Sequence, residues 1–233
     1  SGCQSSLSPD GQTAVTLSEV AHSIFYAPQY AAIELGYFEE EGIDLTLVNA
    51  GGADKVMTSL ISGDAQIGFM GSEASIYVYQ EGSDDPAVNF AQLTQRAGNF
   101  LVGRQAEEDF KWQDLRGKTV LGGRAGGMPQ MVFEYILKKN GLDPVNDLTI
   151  DQSISFGLTA AAFTSSAADY TIEFEPFATT LEMEGSGAVV ASLGKESGYV
   201  PYTASSPRKS YQKQHPAVIQ SFTKANKKGL DYV

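Results

Sequence analysis

The sequence predicts an α/β fold built as two lobes joined by a hinge. Apolar residues that alternate with polar ones, as in strands, are repeatedly followed by helical segments that end at glycine. This strand–helix order occurs in two successive series. Extended stretches at residues 100–104 and 199–205 lie between the series and near the end of the chain. We therefore expect the chain to cross twice between two α/β lobes, which makes a hinge.

The predicted first lobe comprises residues 14–100 and 205–233. Val15 and Leu17 alternate with polar neighbours as in a strand, and Pro28 opens a helix that Gly36 ends. Further elements are expected as strands at 43–47 and 67–69, helices around 56–60 and at 72–80, an extended stretch at 88–94 and a final helix from about residue 216. Alternating strands and helices imply a parallel sheet covered by helices.

The predicted second lobe comprises residues 101–204. An extended stretch at 99–104 leads into it, and residues 110–116 form a short amphipathic turn. Strands are expected at 119–121, 148–150, 170–172 and 188–192, and helices at 129–140, 158–163 and 178–184.

Charge and composition exclude several classes of function. The formal net charge of −12 repels nucleic acid and offers no basic patch to anionic lipid. One cysteine allows no intrachain disulfide, and with only His22 and His215 beside it a structural zinc site is not expected. No apolar run approaches the ~20 residues that span a bilayer. Phosphate-loop, dinucleotide-binding, zinc-protease and serine-hydrolase signatures are absent from the sequence, so we expect no enzyme, no cofactor and no metal.

The single cysteine, Cys3, follows Ser1-Gly2 at the start of the sequence. Ser-Gly-Cys matches the end of a bacterial lipoprotein processing site, where the thiol takes a diacylglycerol. Residues 1–13 would then be a flexible tether, and the protein would be anchored to the outer face of the cytoplasmic membrane, as on a Gram-positive-type surface. The alternative is that Ser1-Gly2 is vector-derived, which would remove the lipid and leave the rest of the interpretation unchanged.

Three turns share one design, in which an apolar strand is followed by glycine or serine and then by a helix start. Ligands of open α/β sheets bind outside the carboxyl ends of the strands, where N–H groups at helix starts hold oxygens of anions. Every α/β protein contains turns of this kind, so one such turn alone does not indicate a ligand site. The prediction of a site depends on the presence of three of them. The predicted ligand-binding residues of these turns are Gly71, Ser72, Gly126, Gly127, Met128, Ser155 and Phe156.

Other side chains are candidates for recognition. His22, Phe25 and Tyr26 follow the first strand and could form a stacking wall, although ordinary core packing explains each one alone. Glu173 and Glu175 follow a later strand and could accept hydrogen bonds from an amine, or could belong to a solvated loop. Candidate partners for an anion are Arg96 and Arg124.

Four blocks occur in a characteristic order: residues 30–45 (YAAIELGYFEEEGIDL), 63–68 (GDAQIG), 114–120 (DLRGKTV) and 174–176 (FEP). Together they resemble the solute-binding proteins of ABC importers, in the subgroup that binds aliphatic sulfonates, nitrate and thiamine-pyrimidine precursors. The resemblance implies a two-lobed type II periplasmic-binding-protein fold, a ligand in the hinge cleft and delivery to a membrane permease. Members of the family usually extend some tens of residues beyond the position of Val233, so the chain is expected to be a fragment or to lack a closing helix.

The sequence leaves the ligand and the exact role open. We expect a monomer that binds a small organic nutrient, either sulfonate-like or similar to a pyrimidine thiamine precursor, rather than nitrate. One alternative is an enzyme on the same fold that acts on a heterocycle through His22 and Glu173. The other is a ligand-sensing domain that acts on a signalling partner.

Overall fold

The computed structural model describes residues 7–123, 125–155 and 157–233. The predicted lipidation residue Cys3 and two candidate site residues, Arg124 and Phe156, lie outside this part of the chain. The described residues divide into two compact units: unit 1 contains those within Ser1–His22, Tyr26–Thr94 and Thr203–Val233, and unit 2 contains those within Ser23–Phe25 and Gln95–Tyr202. Each unit has its own five-stranded sheet.

Unit 1 has the strand order β2-β1-β3-β10-β4. Its strands are β1 (Thr13–Glu19), β2 (Ile43–Asn49), β3 (Ile67–Gly71), β4 (Ala91–Thr94) and β10 (Thr203–Ser206), and its helices are α1 (Ala27–Glu34), α2 (Tyr37–Glu40), α3 (Ala53–Ser62), α4 (Glu73–Gln80), α9 (Lys209–Gln214) and α10 (Pro216–Tyr232). Strand β1 pairs in parallel with β2 and β3, so its carboxyl end at Glu19 lies beside that of β3. These strand ends position the unit 1 candidates described below.

Unit 2 has the strand order β7-β6-β8-β5-β9. Its strands are β5 (Asn99–Gly103), β6 (Thr119–Leu121), β7 (Thr149–Asp151), β8 (Tyr170–Phe174) and β9 (Ala188–Ser192), and its helices are α5 (Met128–Lys139), α6 (Thr159–Ser165), α7 (Phe177–Met183) and α8 (Leu193–Ser197). Strands β7, β6 and β8 run parallel to one another, so their carboxyl ends share one edge of the sheet.

Both sheets are mixed. The three strands of the first series, for which a parallel sheet was predicted, do pair in parallel, and further antiparallel strands extend each sheet. Strand β10 runs antiparallel to β3 and β4, and β5 runs antiparallel to β8 and β9. Parallel neighbours require a crossover connection, usually a helix, within one sheet. β5 and β10 each enter their sheet directly after the chain passes from the other unit, so no such crossover fixes their direction.

The helices were largely expected from periodicity, and the short ones were not. α1 begins one residue before Pro28, and Gly36 follows its end with a positive φ of 75°. α2, α8 and α9 have only four to six residues and were not predicted, because so few residues carry no recognisable period. Among the described residues, no helix is both long and apolar enough to cross a membrane.

Two close contacts fix helices around the sheets. In unit 1, a Cβ placed on Gly229 of α10 would lie 2.1 Å from the Pro28 carbonyl oxygen, so glycine lets α10 approach α1. In unit 2, the Arg104 guanidinium donates hydrogen bonds to the carbonyl oxygens of Phe163, Ser166 and Ala168, just after α6 and at its last turn. Arg104 therefore holds the C-terminal end of α6.

Candidate functional site

A pocket in unit 2 lies at the carboxyl edge of the three parallel strands β7, β6 and β8. Its walls come from the segments that follow these strands and from the end of β8 itself. The described lining residues are Gly123, Pro129, Ile154, Gly157, Thr159, Ile172, Glu173, Phe174 and Phe177. Open α/β sheets bind ligands at this edge because the loops diverge there and leave space between them.

Glu173 brings the only ionisable side chain among those described lining residues. It is 3% exposed, and its Oε1 accepts a 2.7 Å hydrogen bond from the hydroxyl of Thr171. Thr159, at the first turn of α6, also forms a hydrogen bond with the Glu173 side chain. Side chains of a strand point alternately to its two faces, so Thr171 and Glu173 of β8 lie on the same side, and the packing of α6 brings Thr159 to them.

Burial raises the pKa of the Glu173 carboxyl above its usual range, because the charged form loses water. The hydrogen bonds from Thr171 and Thr159 act in the opposite direction, since they stabilise the carboxylate. Desolvation is the larger effect. A carboxyl group with these properties in an apolar pocket is typical of functional sites.

The predicted turn residues of unit 2 lie in different environments. Gly126 is exposed, and its N–H donates a 2.7 Å hydrogen bond to Gln130 Oε1. Gly127 precedes α5, whereas Met128 is 8% exposed and packs in the hydrophobic core with Val132 and Phe133. These contacts give Met128 a packing role.

Two further predicted residues of unit 2 have local structural contacts. Ser155 is exposed, and its carbonyl oxygen accepts a hydrogen bond from the Leu158 N–H. Glu175 accepts bonds from the N–H and the hydroxyl of Thr179, at 3.1 and 2.9 Å, in the first turn of α7. Glu175 therefore stabilises the start of α7, where its negative charge also interacts favourably with the positive end of the helix dipole.

Phe25 and Arg96, both in unit 2, contact aromatic rings. The Phe25 ring lies 5.9 Å from that of Phe174 and 5.7 Å from that of Tyr202. Arg96 donates a 3.1 Å hydrogen bond to the carbonyl oxygen of Gly194, and its guanidinium lies 4.2 Å from the centre of the Tyr199 ring. The Arg96 cation thus already has partners in its own unit.

A second polar group occupies the carboxyl end of β1 in unit 1. Glu19 is 1% exposed, accepts a 2.8 Å hydrogen bond from the Tyr30 hydroxyl and lies 3.0 Å from His22 Nδ1. The exposed His22 ring stacks on Tyr30 with 4.2 Å between ring centres. Burial raises the pKa of Glu19, and its bonds with Tyr30 and His22 oppose the rise.

The remaining candidates of unit 1 surround the same strand ends. Tyr26 is buried, and its ring packs edge-on against the ring of Phe69. Burial, together with the charges of Glu19 and Glu73, raises the pKa of the Tyr26 phenol to about 12. Gly71 ends β3, and a Cβ there would lie 2.1 Å from a carboxylate oxygen of Glu73. Ser72 precedes α4, and its carbonyl oxygen accepts a bond from the Ser75 hydroxyl.

Sequence reasoning missed several residues that the structure brings to these strand ends. Thr171 and Thr159 contact Glu173, and Tyr30 and Glu19 contact each other. One signal was available, since Glu19 is a charged residue at the end of the strand that Val15 and Leu17 predict. Thr159 had no such signal, because its position depends on how α6 packs. Within the described ranges, no group of three or more His, Cys, Asp and Glu residues could hold a metal ion.

Comparison with known proteins identifies the family. The model of the family described as "NMT1/THI5 like" matches residues 24–233. A Bacillus subtilis (strain 168) protein named "Putative binding protein YtlA" is 49% identical over 221 residues, which cover 95% of this chain and 66% of the relative. The chain thus spans just under two thirds of that relative's length.

Solved structures share the fold at low identity. The alkanesulfonate-binding protein SsuA from Xanthomonas axonopodis pv. citri, bound to MOPS, has a TM-score of 0.74 at 17% identity, covering 93% of this chain and 72% of SsuA. The periplasmic nitrate-binding protein NrtA from Synechocystis PCC 6803 has a TM-score of 0.74 at 17% identity, covering 94% and 61%. The chain has the fold of periplasmic binding proteins and belongs to the NMT1/THI5-like family.

Proposed function

We propose that the protein is an extracytoplasmic solute-binding component of an ABC importer, which captures a small organic nutrient and delivers it to a membrane permease. The observation that carries the proposal is the match of residues 24–233 to the NMT1/THI5-like family on the fold of periplasmic binding proteins. The unit 2 pocket, with a cavity volume of about 20 Å³, adds one buried carboxylate among apolar walls at the carboxyl edge of parallel strands.

The names of the relative and of the structural neighbours support a role in solute binding. The B. subtilis relative is named as a binding protein, and the SsuA and NrtA structures are named as sulfonate- and nitrate-binding proteins. Delivery to a permease is supported by one further structure of the same fold, which is described as a "putative sulfonate ABC transporter, periplasmic sulfonate-binding protein SsuA" from Methylobacillus flagellatus KT. The ligand-filled cleft between two lobes, which the sequence resemblance implies, stays a prediction.

Membrane attachment through Cys3 is a separate part of the proposal and depends on the Ser1-Gly2-Cys3 motif alone. A diacylglycerol on Cys3 would keep a monomeric receptor near its permease. Expression of the precursor in a Gram-positive host, followed by detergent phase partitioning, tests it. We expect the wild type in the detergent phase and Cys3→Ala in the aqueous phase, and equal partitioning of the two would contradict the lipid anchor.

A thermal-shift screen tests solute binding. Sulfonates, nitrate, aminopyrimidines and other small solutes would be added singly to the purified protein, and hits would be measured by calorimetry. At least one organic solute is expected to raise the melting temperature with one-to-one stoichiometry. A protein that responds to no solute, and that carries none after purification, would contradict the proposal.

The His22–Glu19 contact is the observation that favours the enzyme alternative. In many enzymes a carboxylate orients a histidine that acts as general base, and Glu19 contacts His22 in this way. His22 is also exposed enough to reach a substrate. Incubation of the protein with its bound solute, followed by mass analysis of that solute, separates the alternatives. An unchanged solute supports a receptor, and a product that disappears with His22→Ala would support an enzyme.

A further inference from the structure

Unit 1 contains a cavity between the edge strand β4 and the last helix, α10. None of its described lining residues belongs to the strand-end groups of Glu19 or Glu173. The cavity volume is about 210 Å³. A cavity of about 150 Å³ holds benzene, so this one has room for a single six-membered ring with a small substituent. Its walls include Phe90, Leu93, Ser205, Thr223, Asn226 and Leu230.

Asn226 is a buried polar residue that lines this cavity. It is 5% exposed, and its Oδ1 has no hydrogen-bond partner among the described residues. Most buried polar side chains in proteins have a partner, because an unpaired buried group lowers stability. Leucine, which has a similar size, would avoid that loss. The presence of asparagine here is explained if a ligand supplies the missing partner.

Three other polar side chains around the cavity already have partners. The Thr223 hydroxyl donates to a carbonyl oxygen one turn earlier in α10, and Gln92 Nε2 donates to a carbonyl oxygen of β4. Lys227 forms an ion pair with Asp231 on the exposed side of α10, and no acid is among the described lining residues. A charged ligand would therefore find no free counter-charge, and burying an unpaired charge is unfavourable.

The cavity is accessible from solvent on one side. Leu230, at its rim, is 43% exposed, and an open depression that shares Phe90 and Thr223 adjoins it. Ser205 of β10, on the opposite side from solvent, is only 2% exposed. A small molecule can thus enter past Leu230 and present its polar end to the buried part of the cavity.

We propose that the cavity between β4 and α10 is a small-molecule site that takes an uncharged, single-ring ligand with an amide or lactam group. Such a group both donates and accepts hydrogen bonds, so it complements the Asn226 amide in either orientation of that side chain. The ring lies against Phe90, Leu93 and Leu230. The site is additional to the proposed function and does not depend on it, because its walls belong to unit 1 alone.

Three probes with the same ring test the proposal. Benzamide carries the amide, toluene carries no polar group and benzoate carries a negative charge. Heteronuclear NMR titration of the purified protein measures the affinity for each probe and locates its site. The test variant is Asn226→Leu, which removes the amide at similar side-chain size. The matched control is Gln214→Leu, which removes an exposed amide elsewhere in unit 1.

We expect the wild type to bind benzamide about tenfold more tightly than toluene or benzoate, which is the effect of about one good hydrogen bond. The largest NMR shifts should fall on residues 91–93 and 226–230. Asn226→Leu should weaken benzamide binding about tenfold and strengthen toluene binding, because leucine makes the cavity more apolar. Gln214→Leu should leave both affinities unchanged. This exchange of preference would not follow from a purely structural role of Asn226.

Two further measurements are independent of that exchange. Leu230→Trp, at an exposed rim position, would fill the cavity and should abolish benzamide binding. Unliganded Asn226→Leu should melt at or above the wild-type temperature, because it loses an unpaired polar group. A clear fall in its melting temperature would show that the amide already has a partner, which would overturn the proposal.

The binding data can also overturn it. Benzamide that binds no more tightly than toluene, or that binds Asn226→Leu as well as the wild type, would contradict a site at Asn226. Benzamide binding that persists in Leu230→Trp, or NMR shifts confined to residues outside the cavity, would mean the same. None of these results decides the proposed role in solute import, which the separate solute screen tests.

Discussion

The hydroxyl of Thr171 donates a 2.7 Å hydrogen bond to Glu173 Oε1, two residues further along β8. Successive side chains of a strand point to opposite faces, so residues two apart lie on the same face. This spacing places the buried carboxylate and its donor side by side on one strand. The bond is made between two side chains that are 0% and 3% exposed. It holds the Glu173 carboxylate in place without neutralising its charge.

Replacing Thr171 by valine tests this bond, because valine has the same shape without the hydroxyl. Hydrogen bonds to charged groups contribute about 1.5–3 kcal/mol, so Thr171→Val should lower the free energy of unfolding at pH 7 by about that amount. Urea unfolding of unliganded protein measures it. Thr149→Val, at an exposed position of the same sheet, is the control. Equal stability of both variants would show that the Thr171–Glu173 bond contributes nothing.

The pH dependence of stability should report the buried Glu173. Its folded-state pKa is raised by desolvation, so the folded state binds the proton more tightly than the unfolded state. The stabilising effect of protonation is fully present below 4.5, the ordinary pKa of a glutamate side chain, and is lost as the pH rises through the pKa of the folded state. The Glu173→Gln protein does not lose stability in this way, because glutamine does not titrate.

The melting temperature of Glu173→Gln relative to the wild type should therefore increase between pH 4.5 and pH 8. Scanning calorimetry of both proteins across this range measures the difference. Glu184→Gln, which removes an exposed charge, should show a much smaller change. A difference that stays constant with pH would contradict the raised pKa.

Tyr30→Phe tests the second buried carboxylate. The Tyr30 hydroxyl donates to Glu19 Oε2, and without it the buried charge keeps only its contact with His22. We expect a loss of about 1.5–3 kcal/mol at neutral pH. The double variant with Glu19→Gln should lose less than the sum of the single changes, because the two side chains act on each other. Additive losses would contradict the interaction, and Tyr79→Phe at an exposed tyrosine is the control.

Gly229→Ala tests the contact between α1 and α10. Alanine favours a helix interior over glycine by about 1 kcal/mol, so the exchange would stabilise an isolated helix. Here the new Cβ would lie 2.1 Å from the Pro28 carbonyl oxygen and 2.9 Å from the Ala32 Cβ. We expect a net loss of about 1–3 kcal/mol, as overpacked sites show. Lys224→Ala, at an exposed position of α10, should be nearly neutral in urea unfolding. A stabilised Gly229→Ala protein would contradict the contact.

The order of elements was accessible from the sequence because each long element has its own signal. Ile43, Leu45 and Leu47 alternate in β2, and glycine follows α1, α3 and α5 within two residues of their ends. Strand direction was not accessible in the same way. The sequences of β5 and β10 predict extended segments but not their direction. Their antiparallel pairing depends on which strand each one pairs with after the chain passes to the other unit.

The site was predictable only where a residue's place follows from its strand. Glu173 comes at the end of an apolar strand, so its approach to the ligand edge could be expected. Its burial could not, because it depends on the packing of α6 and on the hydroxyl of Thr159. Arg96 is a second example, since its guanidinium donates a hydrogen bond to the Gly194 carbonyl oxygen, a contact that no sequence pattern indicates. Sequence identifies chemically capable residues, and packing decides which of them remain available.

Native mass spectrometry of the protein, before and after mild unfolding and refolding, tests the central claim most directly. The account predicts a one-to-one complex with a small organic solute, which is released by unfolding and rebound intact on addition. A protein that binds no small solute in either state, or that releases its solute chemically changed, would contradict the account.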